Sequence, residues 1–420
     1  MTIQTMTSAP MPSSGTGERE RVEMVQEPPK VLQGSEFIWK EGVPIPRVYF
    51  MPTLVDMLVP IMATHYPQFP RLDDVPRASR DRIVSQLALD LPLALVAHRI
   101  HEEFYWKKRA SLIWCNCDIA AHGNSWKQLF FERNLSDYLE RFVLTKEREE
   151  ELKEILEMSA PYIHNIYCSK LPSHLQYLIL LDMIPMDLSA VKIEYRDPNS
   201  CMDYDIEHYG MKRSDCLSLS AVLSTAFTLS ELNLSSNFIT DKKVEIICTG
   251  MAANPTIVSL DLSHNLISDV GCVALQKVLE AKNTVLMFLN LCNNKIHGIG
   301  TRALGFGIRL NTALLHLNLR HNDLTDYGGH RIFDYMMDNQ TIQKLSMSSC
   351  GLNEESVEAL SKVLHLPQSA LTSLDASANP GIGPAGGQIV YNGLVCNSSQ
   401  CCLSSVRRFS LFMRSAGSGH

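Results

Sequence analysis

At 420 residues, with 45% hydrophobic and 20% charged residues, the chain can bury more than one core and is not a disordered polymer. A formal net charge of −7, with no Lys/Arg run longer than Lys107-Lys108-Arg109, argues against nucleic acid as the main partner. Twelve scattered cysteines without paired CxxC spacing, and no apolar signal run at the start, predict reduced thiols and no zinc site.

Residues 1–45 are rich in Ser, Thr, Pro and Glu and read as a flexible tail. From residue 46 to 170 apolar residues recur at helical spacing. Leu54, Val55, Leu58, Val59 and Met62 form one stripe, Ile83, Leu87 and Leu91 another, and Leu129, Phe130, Leu135, Leu139 and Phe142 a third. These predict an α-helical domain. Residues 147–157 continue as a charged helix whose i,i+4 pair Glu149 and Lys153 reads as a solvated face. His98, His101, Glu102 and Glu103 read as one helical segment; two histidines three apart with no third ligand predict surface or capping roles rather than a metal. The most apolar stretch, residues 175–188, is short and carries Asp182 and Pro185, so no membrane span is expected.

The second half repeats itself. Leu229-Ser-Glu-Leu232-Asn-Leu234-Ser-Ser-Asn237 and Ile257-Val-Ser-Leu260-Asp-Leu262-Ser-His-Asn265 are one pattern, and its asparagine slot returns at Asn294, Asn322, Cys350 and Asn379, at gaps of 28 or 29 residues. This is a leucine-rich repeat array, assigned to residues 171–390. Leucines alternating with polar residues make a short strand with one face buried. The asparagine amide closes the turn by bonding open backbone groups, which Cys350 can do only weakly. A helix follows each turn, with stripes such as Leu275, Val278, Leu279 and Val357, Leu360, Val363, Leu364 facing the strands. The predicted fold is α/β: a ribonuclease-inhibitor-like horseshoe of parallel strands with helices outside, behind an N-terminal α-helical domain.

A degenerate repeat precedes these, with its strand at Leu188, Val191 and Ile193, its helix at Cys216, Leu219, Val222 and Leu223, and residues 196–208 inserted as an acidic loop. At the other end, Asn379-Pro380-Gly381-Ile382-Gly383-Pro384 reads as a terminal capping repeat, with residues 391–420 as a C-terminal cap and tail.

Strand alternation also lists the inner surface. Asn233, Asp261, Asn290, Asn318, Ser346 and Asp375 form a small, polar column. On one side run Glu231, Ser259, Phe288, His316, Lys344 and Ser373, and on the other Ser235, Ser263, Cys292, Arg320, Ser348 and Ser377. Small polar residues suit a crowded, curved sheet; a sharper reading is that His316, Arg320 and Lys344, with Phe288 beside them, receive an acidic segment of a partner. In the helical domain Trp106, Trp114, Trp126, Phe130 and Phe131 suit a core, while Trp106 and Trp126 are also candidate docking residues. No phosphate loop or nucleophile elbow occurs, because Gly381-Ile-Gly-Pro-Ala-Gly-Gly carries no lysine. No enzyme activity, cofactor or small-molecule substrate is expected.

Leu91-Pro92-Leu93, Phe104-Tyr105-Trp106-Lys107-Lys108-Arg109, Trp114 and Gly123-Asn124-Ser125-Trp126-Lys127-Gln128-Leu129-Phe130-Phe131-Glu132-Arg133, standing ahead of such repeats, resemble the t-complex-associated testis-expressed protein 1 family, subunit 5 of the nexin–dynein regulatory complex of motile cilia and flagella. The resemblance covers roughly residues 49–387. It implies a non-enzymatic structural and regulatory subunit of the axoneme, in the cytoplasmic cytoskeleton. Its implied partners are sibling subunits of that complex, with the doublet microtubule or the inner dynein arms as further ones. Two alternatives stay open. An F-box-like substrate receptor of a ubiquitin ligase is echoed by Leu91-Pro92 followed by Trp106, Trp114 and repeats, although the helical domain is too long for it. A Ran-type GTPase-activating protein uses repeats of this length, but an acidic tail is expected there, where Arg407-Arg408-Phe409 and Arg414 stand.

Overall fold

The structure is a computed structural model and describes residues 37–40, 43–46, 52–142, 145–171, 188–195, 210–400 and 410–412. Two compact units divide at residue 57. In the first, β1 (Phe37–Lys40) pairs antiparallel with β2 (Val43–Pro46), so part of the stretch read as a tail forms a hairpin. Helix α1 (Leu54–His65) carries the chain into the second unit.

There, α2 (Arg77–Gln86), α3 (Leu93–Val96), α4 (Glu103–Ile113), α5 (Trp126–Glu140) and α6 (Lys146–Ser159) form the helical part. The second and third predicted stripes are buried; of the first, Val59 is buried and Met62 half-buried, but Leu54, Val55 and Leu58 are left exposed. Helix α5 starts where Ser125 Oγ accepts the Gln128 amide at 3.2 Å and where Glu103 Oε2 accepts the Trp126 amide at 2.6 Å. An acid at a helix N-terminus satisfies orphan amides and favours the dipole. The predicted single helix holding His98 to Glu103 is therefore corrected: α3 stops at Val96, and Glu103 opens α4 and caps its neighbour. The Glu149–Lys153 pair of α6 closes at 3.3 Å, half-exposed where a solvated face was expected.

One nine-stranded parallel sheet runs in sequence order through the rest of this unit among the described residues. It comprises β3 (Asn165–Leu171), β4 (Ala190–Tyr195), β5 (Glu231–Asn233), β6 (Ser259–Asp261), β7 (Phe288–Asn290), β8 (His316–Asn318), β9 (Lys344–Ser346), β10 (Ser373–Asp375) and β11 (Ser410–Phe412). The leucines at 232, 260, 289, 317, 345 and 374 pair in register, all buried. The degenerate repeat has its strand at β4 and its buried helix stripe in α7 (Arg213–Leu223), while the 196–208 loop lies outside the described residues. Two strands were not foreseen: β3 starts inside the stretch given to the helical domain, and β11 adds a strand beyond the repeat read as terminal. Helices α8 (Asp241–Ala252), α9 (Asp269–Glu280), α10 (Gly298–Leu310), α11 (Thr325–Met336), α12 (Glu354–His365) and α13 (Gly383–Gln400) line the outer side. None of the described helices is long and apolar enough to cross a membrane.

Three ladders tie each repeat to the next. Asn265 Oδ1 accepts the Asn237 and Ile239 amides, both at 3.0 Å, while its Nδ2 donates to Leu234 O at 3.0 Å and Leu262 O at 2.9 Å. Asn294, Asn322 and Asn379 repeat this. Cys350 Sγ reaches Leu319 O at 3.2 Å but has no carbonyl to offer the preceding turn. There the Leu324 amide turns to Asn322 O at 2.9 Å and Thr325 takes a φ of +60°. A second ladder, missed in the sequence, uses Asn254, Asn311 and Asn339: Asn339 Nδ2 donates to Ile308 O at 2.8 Å and Asn311 O at 3.1 Å. In the third, the first-turn aspartate of one helix caps the next, as Asp269 Oδ1 does for His297 and Gly300, each at 2.8 Å. The asparagines and aspartates of these ladders are tolerated between the repeats because their side chains are bonded.

Candidate interaction surface

The inner face of the sheet is open and presents the polar column and the Phe288–His316–Lys344 row that strand alternation puts there. A shallow pocket of about 310 Å³ lies across strands β5 to β9, with Asn233, Asp261, Phe288, Asn290, His316 and Lys344 among its lining. The central column serves the backbone first. Asn233, Asp261, Asn290, Asn318 and Asp375 each accept the amide two residues on, at 2.8–3.2 Å, the turn geometry that Asx side chains favour. The column is small and polar because the turn needs it. Asp261 spends its second oxygen on Asn290 Nδ2 at 3.0 Å.

The neighbouring row is freer. Phe288, His316 and Lys344 are paired positions on consecutive strands, about 4.8 Å apart. The Phe288 and His316 rings meet edge to face at 4.5 Å, and Phe288 stays 38% exposed. Burial, and then the Lys344 ammonium, hold the His316 imidazole below its ordinary 6.5, so the ring is neutral at pH 7. Arg320 does not join this row: its Nε lies 3.7 Å from Asp375 Oδ2, two repeats on. The expected basic trio is thus corrected to a neutral histidine set edge to face against a phenylalanine, one lysine, and an arginine already matched to a carboxylate. The Lys344 ammonium makes no hydrogen bond or ion pair among the described residues; only its backbone amide is engaged, on Leu315 O at 3.0 Å.

In the helical part the two tryptophans separate. Trp106 is 0% exposed, ringed by Tyr105, Phe130 and Phe131, and its Nε1–H donates to Ile100 O at 3.0 Å. It is core and offers no docking surface. Trp126 is half-buried with Lys107 Nζ 5.4 Å from its ring centre. Trp114 donates to Asp137 Oδ2 at 3.0 Å. Arg109 is buried and donates to Leu91 O at 2.8 Å, and Lys127 lies 4.0 Å from the Tyr162 ring. Burial lowers the Lys127 ammonium to about 8, against the pull of Glu103 and Glu102. Glu132, which the sequence reading passed over, is 2% exposed and receives His122 Nδ1, the His164 amide at 2.9 Å and the Asn165 amide at 2.7 Å. It pins the start of β3 to α5.

No group of three or more His, Cys, Asp or Glu residues among the described residues is placed to hold a metal. Buried Cys168, Cys216, Cys248 and Cys350 have thiols pushed up to about 12 by burial, so at neutral pH they are protonated packing groups.

Comparison with known proteins agrees with the repeat reading. A family model described as Leucine Rich repeat matches residues 253–275, 310–332 and 338–361. Dynein regulatory complex subunit 5 of Chlamydomonas reinhardtii is 39% identical over 193 residues, covering 46% of this chain and 50% of that protein. The human protein of the same name is 27% identical over 248 residues, 53% of this chain and 50% of its own length. The chain thus spans about half the length of these curated relatives. Among solved structures, an internalin from Listeria monocytogenes aligns at 17% identity and TM-score 0.38, covering 62% of this chain and 57% of its own. The chain is a leucine-rich-repeat protein and a homologue of dynein regulatory complex subunit 5.

Proposed function

We propose that the chain is a non-catalytic structural and regulatory subunit of the nexin–dynein regulatory complex, resident on the axoneme of motile cilia or flagella. The observation that carries this reading is the 39% identity to the Chlamydomonas subunit across nearly half of this chain. The sheet supports it, since the inner aspartates Asp261 and Asp375 are engaged in turns and neighbouring contacts, which suits a surface for contact rather than bond-breaking. A sibling subunit docks on the inner row with an apolar side chain against Phe288 and one carboxylate on Lys344. The doublet microtubule and the inner dynein arms are further contacts of the same assembly. Exposed charges of this kind set orientation and association rate more than affinity. The test is retention: tagged chain expressed in a flagellated cell stays with axonemes after detergent extraction, whereas release into the soluble fraction overturns the reading.

A further inference from the structure

The outer side carries a feature that the inner row does not use. Helix α10 is apolar on two faces. Leu304 and Ile308 are buried against the sheet, while Ile299 is 74%, Phe306 38% and Leu310 62% exposed on the opposite side. A helix apolar all round belongs inside a protein or an interface.

The repeat spreads this patch sideways. One repeat earlier the position of Ile299 is held by Val270, 70% exposed, and one repeat later by Tyr327, 50% exposed. Tyr327 packs against Gly298, where a Cβ would come within 2.8 Å of its ring. Beyond these the same position is Lys242 on one side and Glu355 on the other, both exposed. The patch therefore has a charged border and spans three repeats, which single exposed apolar residues do not do. A shallow groove of about 310 Å³, lined by Gln276, Ile299, Arg302, Ala303 and Phe306, runs along it. Helices α9 and α10 approach closely here, because a Cβ on Gly307 would lie 2.9 Å from Leu279 Cβ.

The charges say what fits. Helix α10 has no acidic residue; its charges are Arg302 and Arg309. Arg309 pairs with Asp338 at 2.9 Å. Arg302 lines the groove and has no ion-pair partner among the described residues, and Lys277 occupies the neighbouring helix. We propose that this outer face docks an amphipathic helix of another polypeptide. Its apolar stripe covers Ile299, Phe306 and Leu310, and it brings a carboxylate to Arg302. A second copy of this chain fits worse, because a two-fold interface adds the same unmatched cations from both sides. The face lies across the solenoid from the inner row, so the chain holds two partners at once.

The full chain is titrated into a fluorescein-labelled, 18-residue helical peptide with leucines on one face and glutamates flanking them, and into the same peptide with each glutamate replaced by lysine. Fluorescence anisotropy reads binding and sedimentation velocity reads self-association. The glutamate peptide is expected to bind saturably and about tenfold more tightly than the lysine peptide. Ile299→Ser and Phe306→Ser should each weaken binding about tenfold, and Arg302→Glu should reverse the order of the two peptides. Ile299→Ser guards against a folding defect, since Ile299 contributes little to the core. Absent or equal binding of the two peptides, binding indifferent to both serine variants, or a dimer that these variants dissolve overturns the proposal. None of these readouts depends on the axoneme.

Discussion

Arg320 on the inner face reaches past one whole repeat to Asp375, with Nε 3.7 Å from Oδ2. Both side chains are partly solvated, so the pair contributes less than about 1 kcal/mol. Its effect is on specificity, since the arginine is matched before any partner arrives. Asp375→Asn should therefore leave the melting temperature almost unchanged while raising association with acidic peptides, measured by titration in low and high salt. A large loss of stability would show that the pair holds the fold.

The slot asparagines should be far less tolerant. Asn265→Ala strips five hydrogen bonds from two adjacent turns. Buried backbone groups left without partners cost about 1–3 kcal/mol each, and relaxation recovers part, so a loss of about 3–5 kcal/mol in denaturant unfolding is expected. A loss under 1 kcal/mol would contradict the ladder.

The residue before each slot has a left-handed backbone: Ser236, His264, Asn293, His321, Ser349 and Ala378 have φ of +53° to +60°. Alanine pays for this conformation with its Cβ, and glycine does not. Ala378→Gly should stabilise the array by about 0.5 kcal/mol, the strain relief slightly exceeding the entropy glycine loses on folding. Destabilisation of 1 kcal/mol or more would mean that the methyl contact outweighs strain.

His316 should titrate below its ordinary 6.5 because burial and Lys344 both disfavour its charged form. Lys344→Ala removes the second cause, so the midpoint should move up, but not fully, as burial remains. Histidine NMR titration reads this directly. An unmoved midpoint would separate the two side chains.

Stability should peak on the mildly alkaline side. Lys127 is held at about 8 when folded against 10.5 unfolded, so above pH 8 the unfolded chain binds more protons and stability rises. From pH 9.0 the thiols reverse this. Cys168, Cys216, Cys248 and Cys350 are raised to about 12 and Cys272 is raised too. Each thiol stays protonated when folded and ionises when unfolded, losing up to about 1.4 kcal/mol per pH unit. The maximum should fall between about pH 8 and 9, and Lys127→Met should abolish the rise leading to it. Rising stability from pH 9 to 11 would contradict the burial of the thiols.

The horseshoe was legible because leucine alternation and the asparagine slot recur at one fixed period, and those residues make the contacts that the period implies. Strand β3, Asn165–Leu171, was not: its start is anchored by Glu132 on a distant helix, which no local pattern records. The inner row Phe288, His316, Lys344 could be read from alternation, but its charge could not. Neutrality of His316 follows from burial, and the matching of Arg320 from a carboxylate two repeats away. Trp106 and Trp126 look alike in sequence; only packing shows that one is sealed and the other half-open. The second ladder had a signal in Asn254-Pro-Thr, Asn311-Thr-Ala and Asn339-Gln-Thr, hidden by the louder leucine pattern.

The central claim is that this chain is part of the link between neighbouring doublets. Electron cryotomography of axonemes carrying the chain with a bulky tag tests it most directly. Added density in the nexin–dynein regulatory complex of each repeat, absent from untagged axonemes, is the predicted result. Tag density elsewhere on the axoneme, or none on axonemes at all, would contradict it.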